Sequence, residues 1–166
     1  MATPSEMANL VAEIYQLLQA SRRVSLGSLA ERDGEILPFV SLAVPAIAAD
    51  LTPLLLLSDL ADHSKNLAQR PQASLLFDGT LDRAEPLTGP RVTLLGTVAV
   101  TVAAADRAAY LAQHPEAVLY ADFNDFRFYR FVVHEALFVA GFGRIHRLSA
   151  AELSQFAEQN PAATSQ

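Results

Sequence analysis

A chain of 166 residues with a formal charge of −6 carries no basic stripe of the kind that nucleic acid or an anionic lipid surface requires. It has no cysteine, which excludes a disulfide framework, an iron–sulfur cluster and thiolate catalysis. Hydrophobic residues make up 51% and charged residues 18%, an apolar excess that fits a thick core, an alanine-rich genome or surface covered by a second copy of the chain.

The first residues lack the basic-then-apolar pattern of a signal peptide. The longest apolar run, residues 36–57, is broken by Pro38, Pro45, Asp50 and Pro53, so no membrane span is expected and the cytoplasm is the expected compartment. Residues 5–20 read as a helix capped by Ser5, with Met7, Leu10, Val11, Ile14, Leu17 and Leu18 along one face. The period then changes. Val24, Leu26 and Leu29 lie in a short strand, residues 32–35 form a turn, and residues 36–44 return as the second strand of a hairpin. Residues 54–57 are apolar at every position, as in a strand covered on both faces.

A short helix over 61–70 stops at Pro71, and residues 73–77 form a fourth strand. Residues 78–90 are a loop. Residues 91–102 make a long strand in which Gly96 marks a bulge or a close approach. An alanine-rich helix spans 104–114, and 116–120 add a helical turn. Strands follow at 128–133 and 136–142, then a short helix near 150–158. The predicted architecture is α+β: about six antiparallel strands forming a barrel, with short flanking helices. It is a single domain over 1–150, with residues 151–166 forming a short helix and a frayed polar tail.

Glycine-rich nucleotide loops, zinc-protease pairs and the serine elbow of hydrolases are all missing, and His63, His114, His134 and His146 are not spaced as a zinc site. The segment most suggestive of chemistry is 56–67. A buried strand runs through Ser58 and Asp59 into a helix that opens with His63, Ser64 and Lys65, where free amides would suit an anion; Ser58, Asp59 and Asp62 acting simply as caps is the competing reading. Phe123, Phe126, Phe128, Tyr129 and Phe131 suit a barrel core and subunit seam or, for a few of them, the wall of a flat cofactor site. Arg127 and Arg130 straddle that strand as candidates to meet a second subunit.

Ser58, His63-Ser64-Lys65-Asn66-Leu67 and Arg70-Pro71-Gln72-Ala73-Ser74-Leu75-Leu76 together resemble the pyridoxamine 5'-phosphate oxidase-like, FMN-binding split-barrel superfamily. Leu26-Gly27-Ser28-Leu29, Asn124-Asp125-Phe126 and Gly141-Phe142-Gly143, in the same order along residues 10–148, are most similar to its bacterial haem-utilisation group. The resemblance implies a six-stranded Greek-key split barrel and a homodimer with two equivalent small-molecule sites between subunits; the acidic charge and the broken apolar run already predict no nucleic-acid or membrane partner. For a flavin member it implies an oxidoreductase role, with FMN held through its phosphate by Arg22 or Arg23 and Lys65, near Ser58, Ser64 and Asn66. His63 stands where many flavin members carry a lysine, and Asp62 beside it disfavours a phosphate. For a haem-binding or haem-degrading member it implies a polar lining from His63 and Arg91, with His146 as iron ligand and Asp125 supporting an axial imidazole. His134 is a weaker candidate ligand and His114 reads as a helix end. The first expectation is therefore an FMN flavoprotein, the second a haem protein, and the third a barrel without a cofactor.

Overall fold

The structure, a computed structural model, describes residues 4–159; the frayed tail expected at the C-terminus lies outside the described residues. The chain runs α1 (Pro4–Ala20), β1 (Val24–Arg32), β2 (Glu35–Ala43), β3 (Pro45–Ile47), β4 (Pro53–Ser58), α2 (Asp62–Gln69), β5 (Gln72–Asp78), β6 (Arg91–Val100), α3 (Ala104–Gln113), β7 (Phe126–Gly141), β8 (Arg144–Ser149) and α4 (Ala150–Gln159). Single 3-10 turns lie at Pro86–Thr88 and Pro115–Leu119.

The hairpin β1–β2 closes through Asp33 and Gly34, both at positive φ (52° and 81°), the geometry that a two-residue turn needs to match strand twist. All pairings are antiparallel, in the order β2-β1-β5-β6-β7-β4-β3, with β8 added to β7. The two ends of this order, β2 and β3, are joined in the chain by Val44 alone, yet they do not pair. The sheet therefore curls towards closure and stays split along that line.

Eight strands form, where about six were expected. β3 is three residues long and opens on a proline, and β8 reads as too polar because Arg144, His146 and Arg147 make up half of its six residues. Conversely, the two strands expected around residues 128–142 are one. Leu95 pairs with Glu135 and Gly96 with Val133, so His134 is an unpaired extra residue and the polar break is a bulge inside β7. Opposite it, a Cβ on Gly96 would lie 2.0 Å from the Val132 carbonyl oxygen, so only glycine admits this approach. Ser5 does not cap α1, because the helix already begins at Pro4 and Ser5 lies in its first turn.

The interior is built from alternating strand positions: Leu26, Leu75, Phe77, Val92, Leu94, Phe131 and Phe138 are all at most 1% exposed. Leu10, Val11, Ile14, Leu17 and Leu18 of α1 join the same core. Strand β4 is apolar throughout because it serves two cores. Leu55 and Leu57 belong to the interior, whereas Leu54 and Leu56 pack outward with Tyr110, Ala117 and Ala121.

Candidate functional site

The outward face of β4 leads into an open groove of about 360 Å3. Leu42 and Val44 of the β2 end, Leu56 and Ser58 of β4, and Tyr110, Tyr120 and Phe126 line it; Ala61 and His63 stand at the entry of α2. Every lining side chain except Ser58 and His63 is aliphatic or aromatic. A flat, mostly apolar ligand suits such a surface.

A small polar network fixes the rim. The Ser58 hydroxyl donates to Asp125 Oδ2 at 2.6 Å and accepts the Leu60 amide at 3.2 Å. The Asp59 amide donates to the Asp125 carbonyl at 2.6 Å, and Arg127 Nε bridges both Asp59 oxygens at 3.0 and 2.9 Å. Asp125 thus holds the β4–α2 connection in place, and Ser58 neither caps α2 nor is free. The residue before α2 is Ala61, which offers no side-chain cap, so the first-turn amides of the helix have no side-chain acceptor there.

Along α2 the candidates separate by face. His63 is half-buried, with Nδ1 3.0 Å from Ser41 Oγ; burial lowers its pKa, with Asp62 opposing, so the ring is neutral at pH 7. Ser64 is buried and its hydroxyl has no hydrogen-bond partner among the described residues. Asn66 is buried and donates to Ser28 Oγ at 3.1 Å, tying α2 to β1. Lys65 points outward, 4.0 Å from Asp62, an exposed pair worth at most about 1 kcal/mol.

The remaining candidates lie elsewhere. Arg22 and Arg23 line a cleft with Asp78, Gly79, Asp82 and Arg83. Five residue steps along β1, roughly 16 Å of extended chain, separate Arg23 from Ser28, the residue that contacts α2. Arg91 turns back on its own loop and donates to the Leu87 and Gly89 carbonyls at 3.2 Å each. His146 sits within β8 opposite Phe138 and does not trail free after the last strand. Ser58 is paired with Phe126 at the start of β7, so twelve residues, about 40 Å of strand contour, lie between the Asp125 end and the His146 end. One chain therefore gathers Ser58, His63, Ser64, Lys65, Asn66 and Asp125 around one end of β7, with Arg22, Arg23, Arg91 and His146 away from it. A single site holding both groups would need a second chain.

Several site residues escaped the sequence reading. Tyr110 lay in a helix notable only for alanine, yet its hydroxyl donates to the Val44 carbonyl at 3.0 Å and burial raises its pKa. Ser41 had no motif, but the alternation Ile36, Pro38, Val40, Leu42, Val44 on the opposite face of β2 sets it on the α2 side. Arg130 pairs with Asp106 at 2.7 Å and also with Asp50, so its charge is used within the chain.

The sequence profile of the CREG β-barrel matches residues 11–155. The non-canonical heme oxygenase HOZ, chloroplastic, of Arabidopsis thaliana is 38% identical over 135 residues, which cover 79% of this chain and 40% of that protein. A heme binding protein from Mycobacterium smegmatis superposes with a TM-score of 0.76 at 27% identity over 93% of this chain and 61% of the other. A Clostridium acetobutylicum protein related to general stress protein 26, of the pyridoxinephosphate oxidase family, shares the fold with a TM-score of 0.65 at 15% identity, covering 88% of this chain and 98% of the other. This chain thus spans about two-fifths and three-fifths of the first two relatives. Among the described residues no helix is long and apolar enough to cross a membrane. With its split antiparallel sheet and the profile covering most of its length, the chain belongs to the CREG β-barrel family, and it shares its fold with a protein of the pyridoxinephosphate oxidase family.

Proposed function

We propose that this chain binds haem in the groove beside His63, as a homodimer whose second copy closes the open side. The observation that carries the reading is the wall of the groove: Leu42, Val44, Leu56, Tyr110, Tyr120 and Phe126 with one neutral imidazole at the rim. That donor set fits a flat macrocycle, which needs a broad apolar contact and few polar anchors. Relatives named for haem support the same choice. Bound haem would supply the iron and its redox chemistry; the chain supplies shape, exclusion of water and the His63 imidazole.

FMN is the competing ligand, as cofactor of an oxidoreductase, and the superfamily speaks for it. Against it, Arg22 and Arg23 do not reach Lys65 within one chain, and Asp62 stands beside the helix entry. The dimer rests on β2, whose outward face exposes Val40 at 68% and Leu42 at 67% next to the groove.

Titration of the purified chain with haemin and, separately, with FMN decides between the two. Saturable binding of haemin with a shifted Soret band, and no quenching of FMN fluorescence, is the expected result. Tight FMN binding without a haemin Soret shift would overturn the proposal.

A further inference from the structure

His63 rims the groove, yet a neutral imidazole can play two opposite parts there. With its proton on Nδ1 it presents a lone pair at Nε2, suited to a metal; with the proton on Nε2 it presents a hydrogen-bond donor. The choice falls to whatever Nδ1 meets. Here it meets Ser41 Oγ at 3.0 Å, reaching from β2 across to the first turn of α2. We infer that Ser41 is a positioning residue whose hydroxyl donates to His63 Nδ1 and thereby holds the His63 proton on Nε2, facing the groove. This deepens the haem reading and rests on it for the identity of the ligand.

The direction of that hydrogen bond follows from what else is in reach. A serine hydroxyl has one proton to give and two lone pairs to offer. Among the described residues, His63 Nδ1 is the partner of the Ser41 hydroxyl, and the backbone groups of Ser41 lie on a strand paired residue by residue with β1. Were Nδ1–H to donate to the hydroxyl, the hydroxyl proton would be left without an acceptor in a half-buried position. Donation by Ser41 uses that proton and leaves only acceptor capacity spare, the less costly shortfall. Among the described residues no carboxylate is hydrogen-bonded to Nδ1: Asp125 is engaged by Ser58, Asp59 by Arg127, and Asp62, whose charge acts on the ring, stands 4.0 Å from Lys65. His63 then acts as a donor towards an acceptor on the ligand, of the carboxylate class that a porphyrin carries on its edge, and is not itself a ligand to iron.

The test needs no haem. Long-range proton–nitrogen correlation spectra of the 15N-labelled full chain at pH 8 report both imidazole nitrogens of His63. The expected result is a protonated Nε2 and an unprotonated Nδ1, with Ser41→Ala moving both shifts towards a mixture of the two forms and Ser41→Thr restoring the single form. A proton on Nδ1 in the unmodified chain overturns the inference whether or not the variants fold, as does a Ser41→Ala spectrum with both shifts unmoved. Failure here leaves haem binding standing. A chain with the expected tautomer that does not bind haemin overturns the haem reading alone.

Discussion

The two faces of β4 divide the molecule into a finished core and an unfinished one. Inward, Leu55 and Leu57 meet Leu26, Leu75, Phe77, Phe131 and Phe138 in a space closed entirely by one chain. Outward, Leu54 and Leu56 meet Tyr110, Ala117 and Ala121, and beyond them the apolar surface continues into solvent through Leu42, Val40 and the groove. One strand, two environments. The interior sets stability, and the exterior keeps surface for assembly and ligand.

Substitutions should separate these roles. Phe138→Ala empties a fully buried site in β7 and should lower unfolding free energy by about 3–5 kcal/mol, read by urea denaturation, while haemin binding below the transition stays unchanged. Gly96→Ala forces a Cβ against the Val132 carbonyl and should cost about 1–3 kcal/mol through displacement of β6 from the bulge in β7. Leu42→Arg places a charge on the exposed face of β2; it should retain the circular dichroism of the parent, yet shift the light-scattering mass to one chain of 17.9 kDa and weaken haemin binding. If Leu42→Arg stays dimeric and binds haemin normally, the outward face is not the one that matters.

The smallest expected effect lies in pH. Burial depresses the His63 pKa in the folded chain, so the unfolded chain takes up the proton first as pH falls. The neutral ring's contribution is complete above about pH 6.5 and is lost as pH drops from there through the folded value. His63→Gln should flatten stability in that window in pH-dependent denaturation and leave the alkaline side unchanged.

Local pattern carried much of the fold. Helix α1, the β1–β2 turn at Asp33-Gly34 and the doubly covered β4 follow from periodicity and turn chemistry, and the close approach at Gly96 from a lone glycine in a strand. What local pattern could not give was set by distant partners. The His134-Glu135 pair resembles a strand end until β6 opposite turns it into a bulge, and β8 is a strand because β7 offers it an edge. The site divides in the same way. Ser58, His63 and Asp125 come from motifs that fold together, whereas Tyr110 reaches the groove, and Ser41 reaches His63 behind it, only through tertiary pairing. Arg91 and His146 were associated with them through resemblance, and the length of β7 keeps them apart in one chain.

That length has a consequence during synthesis. β7 is the shared neighbour of β4, β6 and β8, so neither β4 nor β6 completes its pairing until residues 126–141 have left the ribosome. For the whole of that interval the nascent chain displays open edges, one of them beside the leucine run 54–57, and these invite association with other chains. Closure then comes late and from far along the chain, a slow arrangement compared with local hairpins. A cell making this protein quickly meets its weakest moment just before β7 emerges, when holdase chaperones have the most surface to grip.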